Sequence, residues 1–428
     1  MHGWVAKLVV MSVDVSGKPE ADSESLATVR REVRDWLSAH WSPTLEREAW
    51  MAAVVDSGWA APSWPEAWHG KGLTAAATNV VVEEFERAGA YGSGQDKVNL
   101  WANTLLSFGS DELKGQLLRP LMMGGSGEVG MCLLYSEPGA GSDLAGIQTK
   151  AERDGDEWIV NGQKVWTSMA RNADYALLIA RTDFDVPKHR GITFFWFPMK
   201  QDGVEVRPLR QATGDSRFNE VFITDARVPH ANVLGDVNNG WMVLQTALAY
   251  ERSAMGENQK RRSSQKVESA VRDPNDDAVA PIPDLSLVEL AKALGVDQDP
   301  VIRQRLAHLH CLVAVNGWNN ARGKAAMAQG TSSSTMSLGK LAMSQILHTA
   351  GSLQTAILGA EGMIGGADSP RSADATYSLL NAFFTSIGGG TDQIQRNIIG
   401  ERILGLPKEP EVDKTIAFRE VLRSTGRS

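Results

Sequence analysis

The sequence predicts an α+β fold that is mostly helical, with N-terminal helices, a middle antiparallel sheet and C-terminal helices. Apolar residues recur at three- and four-residue spacing up to about residue 130, which is typical of buried helix faces. Short alternating runs separated by turn residues follow, and helical spacing returns from residue 241. At 428 residues the chain is long for one hydrophobic core, so we expect two or three packed units.

The N-terminal helices are predicted from one recurring apolar face. That face is formed by Leu26, Val29, Val33, Trp36 and Leu37. A loop rich in glycine, proline and tryptophan interrupts the pattern at residues 63–72, and helical spacing resumes over residues 78–87 and 111–121. We therefore expect a tail over residues 1–22 and a helical domain over residues 23–129.

The middle domain is predicted from short β-rich runs. These runs cover residues 150–153, 158–160, 175–181, 192–198, 204–209 and 220–228. The pairs Asp154-Gly155, Asn161-Gly162 and Asp202-Gly203 are typical of tight turns between antiparallel strands. We therefore expect an antiparallel β-barrel domain over residues 130–240.

The C-terminal domain, residues 241–428, is predicted to be a helical bundle of the four-helix type up to the C terminus. Pro274, Pro281 and Pro283 lie among acidic residues and predict an inserted loop near residues 273–284. The basic run 260–262 is expected to be a solvated helix face.

Composition excludes several classes of protein. A net charge of -8 argues against a nucleic-acid surface, which needs clustered lysine and arginine. No apolar run approaches the roughly 20 residues of a membrane span. Two cysteines, Cys132 and Cys311, favour a reducing compartment over a disulfide framework. We expect a cytoplasmic protein that has no metal site and no partner in nucleic acid or membrane.

Three motifs point to a common function. Residues 137–143 read Glu-Pro-Gly-Ala-Gly-Ser-Asp, in which the glycines allow close backbone approach to a ligand and Ser142 can donate to a phosphate. Residues 161–168 read Asn-Gly-Gln-Lys-Val-Trp-Thr-Ser, and residues 390–396 read Gly-Thr-Asp-Gln-Ile-Gln-Arg. With this set of motifs the chain resembles the acyl-CoA dehydrogenase family over roughly residues 23–407.

The resemblance implies an FAD cofactor and an acyl-CoA substrate. It assigns FAD binding to Ser136, Gly141, Ser142, Trp166, Ser168, Thr391 and Gln393. Trp166 would pack on the isoalloxazine and Ser168 would bond its N5 edge, whereas Ser142 would also face the CoA. The alternative for Trp166 is an ordinary core aromatic, since the chain contains 13 tryptophans.

The catalytic base is the main departure from the family. Most members carry Tyr-Glu-Gly-Thr where residues 388–391 of this chain read Gly-Gly-Gly-Thr. Glu251 instead occupies the helical position at which the isovaleryl and long-chain branches place their base. The next residue, Arg252, matches an arginine of the family and is assigned to substrate binding. The alternative is a surface glutamate paired with Arg252 or another neighbour.

A base at Glu251 is chemically consistent. A carboxylate in an apolar pocket has a raised pKa, which suits it to removing the proton next to a thioester. Gly389 keeps the backbone N–H that the family aims at the developing enolate. Gly389 and Gly390 are assigned to the substrate pocket. The three successive glycines 388–390 remove the family's tyrosine and glutamate side chains from that pocket, which favours a bulky or branched acyl group, although a simple turn would explain them as well.

Two further departures concern assembly. The family's Arg-x-x-Phe-Gly motif, which reaches a neighbouring subunit's FAD, is missing between residues 254 and 330, and residues 356–362 have lost the Gln-x-x-Gly-Gly motif. This asymmetry resembles actinobacterial α2β2 acyl-CoA dehydrogenases that act on steroid side chains. We therefore expect a second dehydrogenase-like subunit as partner, or self-association, and electron-transferring flavoprotein as acceptor. The alternatives are a silent partner subunit and a nitroalkane-oxidase or flavin-monooxygenase relative.

Overall fold

The computed structural model describes residues 19–124, 129–251, 286–328, 335–364, 369–411 and 413–424. The chain divides into two compact units, Met1–Val129 with Ala249–Ala254, and Gly130–Leu248 with Met255–Ser428. Helices precede and follow a β domain, which confirms the predicted fold class. The inserted loop predicted at residues 273–284 and the basic run 260–262 lie outside the described residues.

The first unit is helical. Its helices are α1 (Pro19–His40), α2 (Arg47–Asp56), α3 (Ala75–Arg87), α4 (Gln95–Val98), α5 (Leu100–Phe108) and α6 (Asp111–Met123). Side chains of Thr74, Asn99 and Ser110 cap α3, α5 and α6 by accepting a backbone N–H of the first turn. The loop predicted at residues 63–72 is confirmed and contains only a short 3-10 turn, Glu66–Trp68.

A buried carboxylate joins α1 to α3. The side chain of Glu84 is 1% exposed and accepts hydrogen bonds from Arg34 at 2.7 Å, from Arg87 at 2.8 Å and from Arg30. Burial alone would raise the pKa of Glu84, but hydrogen bonds from Arg34 and Arg30 hold it below its usual range. The carboxylate is therefore charged in the folded protein and stabilises the fold.

Replacing Glu84 with Gln should lower the free energy of unfolding by about 1–3 kcal/mol, because charge-assisted hydrogen bonds are lost. A lowered pKa contributes stability above the unfolded pKa and loses it as pH falls through the folded value, so the difference between variant and wild type should shrink in acid. Urea unfolding at several pH values measures this. Glu83→Gln, with a side chain 57% exposed, is the control and should have little effect.

The second unit contains a seven-stranded sheet. Its strands are β1 (Met131–Leu134), β2 (Lys150–Asp154), β3 (Glu157–Ser168), β4 (Tyr175–Arg181), β5 (Ile192–Pro198), β6 (Val204–Leu209) and β7 (Phe218–Pro229). The order is β1-β4-β2-β3-β7-β6, with β5 also paired to β4. The sheet curls into a half-barrel and is mostly antiparallel, but β1 and β2 pair with β4 in parallel.

One predicted turn is wrong. Asn161 and Gly162 lie inside β3, which runs on to Ser168 and pairs with β7. The register shifts between Val160 and Gly162, and a Cβ at Gly162 would lie 2.4 Å from the hydroxyl oxygen of Thr149. The glycine is therefore needed for close packing against Thr149 and not for chain reversal.

Helices dominate the described residues that follow the sheet. They are α7 (described over residues 240–251), α8 (Ser286–Ala293), α9 (Pro300–Ala328), α10 (Thr335–Leu358), α11 (Pro370–Ile387), α12 (Asp392–Ile398) and α13 (Phe418–Ser424). Leu353 and Ile346 of α10 pack with Leu309 of α9 and Leu287 of α8 in one apolar cluster. Among the helices of the described ranges, none is long and apolar enough to cross a bilayer.

The prediction that helix continues to the C terminus is wrong for residues 404–411 and 413–417. Gly405 has a φ of +67°, and Pro407 and Pro410 follow it. A left-handed glycine after a helix followed by prolines prevents helical continuation. These described residues form no regular helix before α13 begins.

Candidate active site

The loop after β1 carries the first motif. Glu137 and Ala140 exchange two backbone hydrogen bonds of 3.0 Å each, and the carbonyl of Ser136 accepts from the N–H of Val165 on β3 at 2.9 Å. A Cβ at Gly141 would meet no atom of the chain within 4 Å, and its φ is not left-handed. Neither backbone strain nor the chain's own packing requires this glycine. The exposed Gly141 and Ser142 are therefore open to a ligand.

A buried ion pair holds this loop against β3. The Lys164 side chain is fully buried and donates to Glu137 at 2.9 Å and to the carbonyl of Tyr135 at 3.0 Å. Glu137 also accepts the backbone N–H groups of Gln148 at 2.7 Å and Thr149 at 2.9 Å. Burial would raise the pKa of Glu137, but the Lys164 charge and these hydrogen bonds hold it below its usual range. The pair fixes both ends of the loop.

Trp166 is not a core residue. Its indole is 60% exposed and its φ is +63°, at a register shift between Lys164 and Thr167 where β3 bulges against β7. A left-handed backbone conformation at a residue other than glycine costs about 1–2 kcal/mol of conformational free energy. In a regular strand alternate residues share a face, so Trp166 would lie on the inward face with Trp158 and Val160. The bulge turns its indole to the surface instead. Such strain is typical of ligand sites.

Aromatic contacts link Trp166 to the glycine motif after α11. Trp166 meets Phe218 edge-on at 6.0 Å between ring centroids, and Phe218 lies 5.5 Å from Phe384. A Cβ at Gly388 would lie 2.9 Å from the ring of Phe384. The structure therefore brings the motif of residues 161–168 close to that of residues 388–391, and Ser168 pairs with Phe218 across the strands.

The glycines after α11 have different roles. Gly389 has a φ of +66° and is exposed, and a Cβ there would meet nothing within 4 Å. Gly390 has a φ of +92°, and its Cβ would lie 2.9 Å from Gln395, whose amide bonds the carbonyl of Gly389 at 3.3 Å. The space at Gly388 is filled by Phe384. Only position 389 therefore leaves open room, and backbone conformation alone also favours glycine at 389 and 390.

The start of α12 presents the last motif. The half-buried Thr391 caps the helix by accepting the N–H of Ile394 at 3.2 Å, which leaves its O–H for another acceptor, and Gln393 is exposed. Asp392 accepts from Ser344 at 2.8 Å and from Lys340 at 3.2 Å, both on α10. These bonds fix the helix start and the two side chains it carries.

The predicted base belongs to the first unit. Glu251 is half-buried on α7, four residues after the fully buried Ala247. The adjacent Tyr250 hydroxyl lies 3.3 Å from that of Ser107. Arg252, predicted to bind substrate, lies outside the described residues.

Two structural residues of the site were not predicted as such. Lys164 and Glu137 stand inside the quoted motifs, but only flavin contacts were assigned there. A signal for Lys164 was available, because strand alternation places it on the inward face with Trp158 and Val160, where a lysine needs a buried anion. Phe384 carried no comparable signal, since its contact depends on the packing of α11 against the sheet.

Comparison with known proteins supports one family. Three domain models match: the acyl-CoA dehydrogenase N-terminal domain at residues 23–125, the middle domain at residues 132–226 and the C-terminal domain at residues 289–404. Members of this family are flavoprotein oxidoreductases.

Relatives and solved structures agree. The chain is 34% identical over 378 residues to acyl-CoA dehydrogenase IpdE1 of Mycobacterium tuberculosis, covering 85% of this chain and 89% of that protein. The Tcur3481-Tcur3483 steroid ACAD is 27% identical with a TM-score of 0.64, covering 92% of this chain and 99% of that one. The ChsE4-ChsE5 complex from Mycobacterium tuberculosis is 27% identical with a TM-score of 0.59, covering 93% and 100%. The chain belongs to the acyl-CoA dehydrogenase family.

Proposed function

We propose that this protein is an FAD-dependent dehydrogenase that desaturates a bulky acyl-CoA thioester between its α and β carbons, with Glu251 as the base. The observation that carries the proposal is a half-buried glutamate on α7 together with an open glycine at the family's usual base position, Gly389. The family membership of the chain and the names of its relatives support the class of reaction.

In the proposed reaction, the Glu251 carboxylate takes the α-proton and a hydride leaves the β-carbon, so the thioester loses two hydrogens and gains a double bond. When bound, FAD would supply the hydride acceptor. The backbone N–H of Gly389 would donate to the thioester oxygen as negative charge develops there. Arg252 and Gly390 complete the proposed substrate-binding set, with Ser142 on the CoA side.

The residues that we propose to bind the flavin have chemistry that suits this cofactor. An exposed indole at Trp166, held out by a strained bulge, offers a flat apolar face for a ring system. The strand β3, which carries Trp166, also carries Ser168. The loop after β1 carries Ser136, Gly141 and Ser142, and all four residues offer hydroxyl or backbone donors. The O–H of Thr391 and the amide of Gln393 would add polar contacts at the start of α12.

We further propose a partner subunit. Two similar solved structures are complexes of two different chains by their titles. In this chain the segment 356–362 has lost the family motif, and its Glu361 bonds Arg371 and Ser369 at 3.2 Å each within the chain. The Glu361 side chain therefore has hydrogen-bond partners within its own chain. An α2β2 assembly with a second dehydrogenase-like subunit is therefore favoured over self-association, with electron-transferring flavoprotein as the electron acceptor.

An anaerobic titration tests the proposal. The chain is purified alone and with the co-expressed partner, its flavin content is measured by absorbance, and acyl-CoA thioesters of increasing bulk are added. We expect full flavin content only with the partner, and bleaching by acyl groups that are branched or carry fused rings. Stoichiometric FAD in a homotetramer would contradict the α2β2 assembly, and bleaching by short straight chains alone would contradict the bulky substrate. A flavin that no acyl-CoA bleaches would identify a silent subunit.

A further inference from the structure

The C-terminal segment 413–419, here called the strap, is bound to the β domain. The N–H of Phe418 donates to the carbonyl of Val186 at 2.9 Å, and that of Arg419 donates to the carbonyl of Phe184 at 3.0 Å. Arg419 also pairs with Asp185. The strap therefore lies along residues 184–188, the connection that follows β4, and no function assigned above uses it.

Phe418 covers a buried arginine. Arg181 at the end of β4 is fully buried and donates to the carbonyls of Ala145 at 2.6 Å, Ile147 at 3.0 Å and Lys188 at 3.1 Å. Ala145 and Ile147 belong to the loop that follows the first flavin motif. The Phe418 ring, 2% exposed, stacks 3.6 Å from the guanidinium carbon, and a cation–π contact is strongest where water is excluded.

A second contact reaches the same loop. Lys188 is 10% exposed and donates to Asp413 of the strap at 2.7 Å and to Asp143 of the motif at 3.0 Å. Asp143 directly follows Ser142, the residue proposed to contact FAD and CoA. Lys188 would have a lowered pKa from burial alone, but Asp413 and Asp143 raise it above its usual value, so the ammonium stays charged between the two carboxylates.

We propose that the strap is a positioning element for the cofactor loop, residues 137–149. Phe418 holds Arg181 against the carbonyls of this loop, and Asp413 orients Lys188 toward Asp143. Glu137 and Lys164 fix the ends of the loop, whereas the strap fixes its middle and the carboxylate next to Ser142. This inference rests on the proposed function, because it assigns the loop to FAD and acyl-CoA.

Two point variants test the role of the strap in the full chain co-expressed with its partner. Phe418→Leu keeps an apolar side chain but loses the ring face over Arg181, and Asp413→Asn removes the charge beside Lys188. Each should weaken FAD affinity about 10-fold and speed amide hydrogen exchange in residues 137–149. Variants saturated with FAD should keep the wild-type rate of flavin bleaching by acyl-CoA. Lys414→Ala is the control, since Lys414 pairs only with the neighbouring Glu411 among the described ion pairs.

The outcomes separate this inference from the proposed function. Wild-type affinity and exchange in both strap variants would overturn the positioning role, as would faster exchange with unchanged FAD affinity. A wild-type complex that takes up no FAD would overturn the proposed function and the role of the strap with it. Asp413→Asn changes a side chain that is 24% exposed, so the test does not depend on how well Phe418→Leu folds.

Discussion

Replacing Glu251 with Gln is expected to slow acyl-CoA oxidation by about 100- to 10,000-fold, because the amide cannot accept the α-proton. FAD content should remain at the wild-type level, since Glu251 is not among the proposed flavin contacts. Stopped-flow measurement of flavin reduction under anaerobic conditions gives the rate, and the visible spectrum of the purified variant gives the flavin content.

A neighbouring substitution is the control for Glu251→Gln. Tyr250→Phe changes the adjacent residue of α7 and removes only the hydroxyl that lies near Ser107. It should reduce flavin at nearly the wild-type rate. Wild-type turnover in Glu251→Gln would show that another group is the base, and an equal loss in both variants would indicate a local structural effect in place of lost proton transfer.

Replacing Lys164 with Met is expected to destabilise the protein by about 3–5 kcal/mol, because it leaves the Glu137 carboxylate buried without its cation. The Glu137 side chain is 9% exposed and that of Lys164 is fully buried, so water cannot take the place of the ammonium. The loop of residues 137–149 should loosen, and FAD affinity should fall with it. Denaturant unfolding and flavin titration measure the two effects.

The double variant Glu137→Gln/Lys164→Met is the matched comparison. It removes both charges, so it should be more stable than Lys164→Met alone, as expected when one partner of a buried pair exists mainly to neutralise the other. Additive losses in the double variant would mean that the two residues act independently and that the ion pair does not hold the loop.

Periodicity predicted much of the fold. The helix α6 and the strands β4, β5 and β6 match the predicted runs. Each of them packs one regular face against the core, as the partly buried Val204 and Val206 of β6 do, or lies almost wholly within it. The strand β1 was not predicted, since its partner β4 is about forty residues away and β1 has only four residues. The break at Gly405 and Pro407 was missed although both residues are typical helix terminators.

Sequence motifs predicted some residues of the candidate site but not their conformation. The motif around Trp166 located the residue, but only the structure shows that a bulge with a left-handed residue turns the indole outward. The strap illustrates the same limit. Phe418 and Arg181 are more than two hundred residues apart, and nothing local in either segment indicates the other. Contacts of this kind depend on tertiary packing and have no periodic pattern.

Removal of the α-proton by Glu251 can be measured separately from hydride transfer. An acyl-CoA in which sulfur replaces the β-carbon can be deprotonated but cannot lose a hydride, so exchange of its α-hydrogens with D2O reports the base alone. We expect exchange catalysed by the wild-type protein and by the control Tyr250→Phe, and none above background by Glu251→Gln, as followed by mass spectrometry of the thioester. Exchange at the wild-type rate in Glu251→Gln would contradict the assignment of Glu251 as the base.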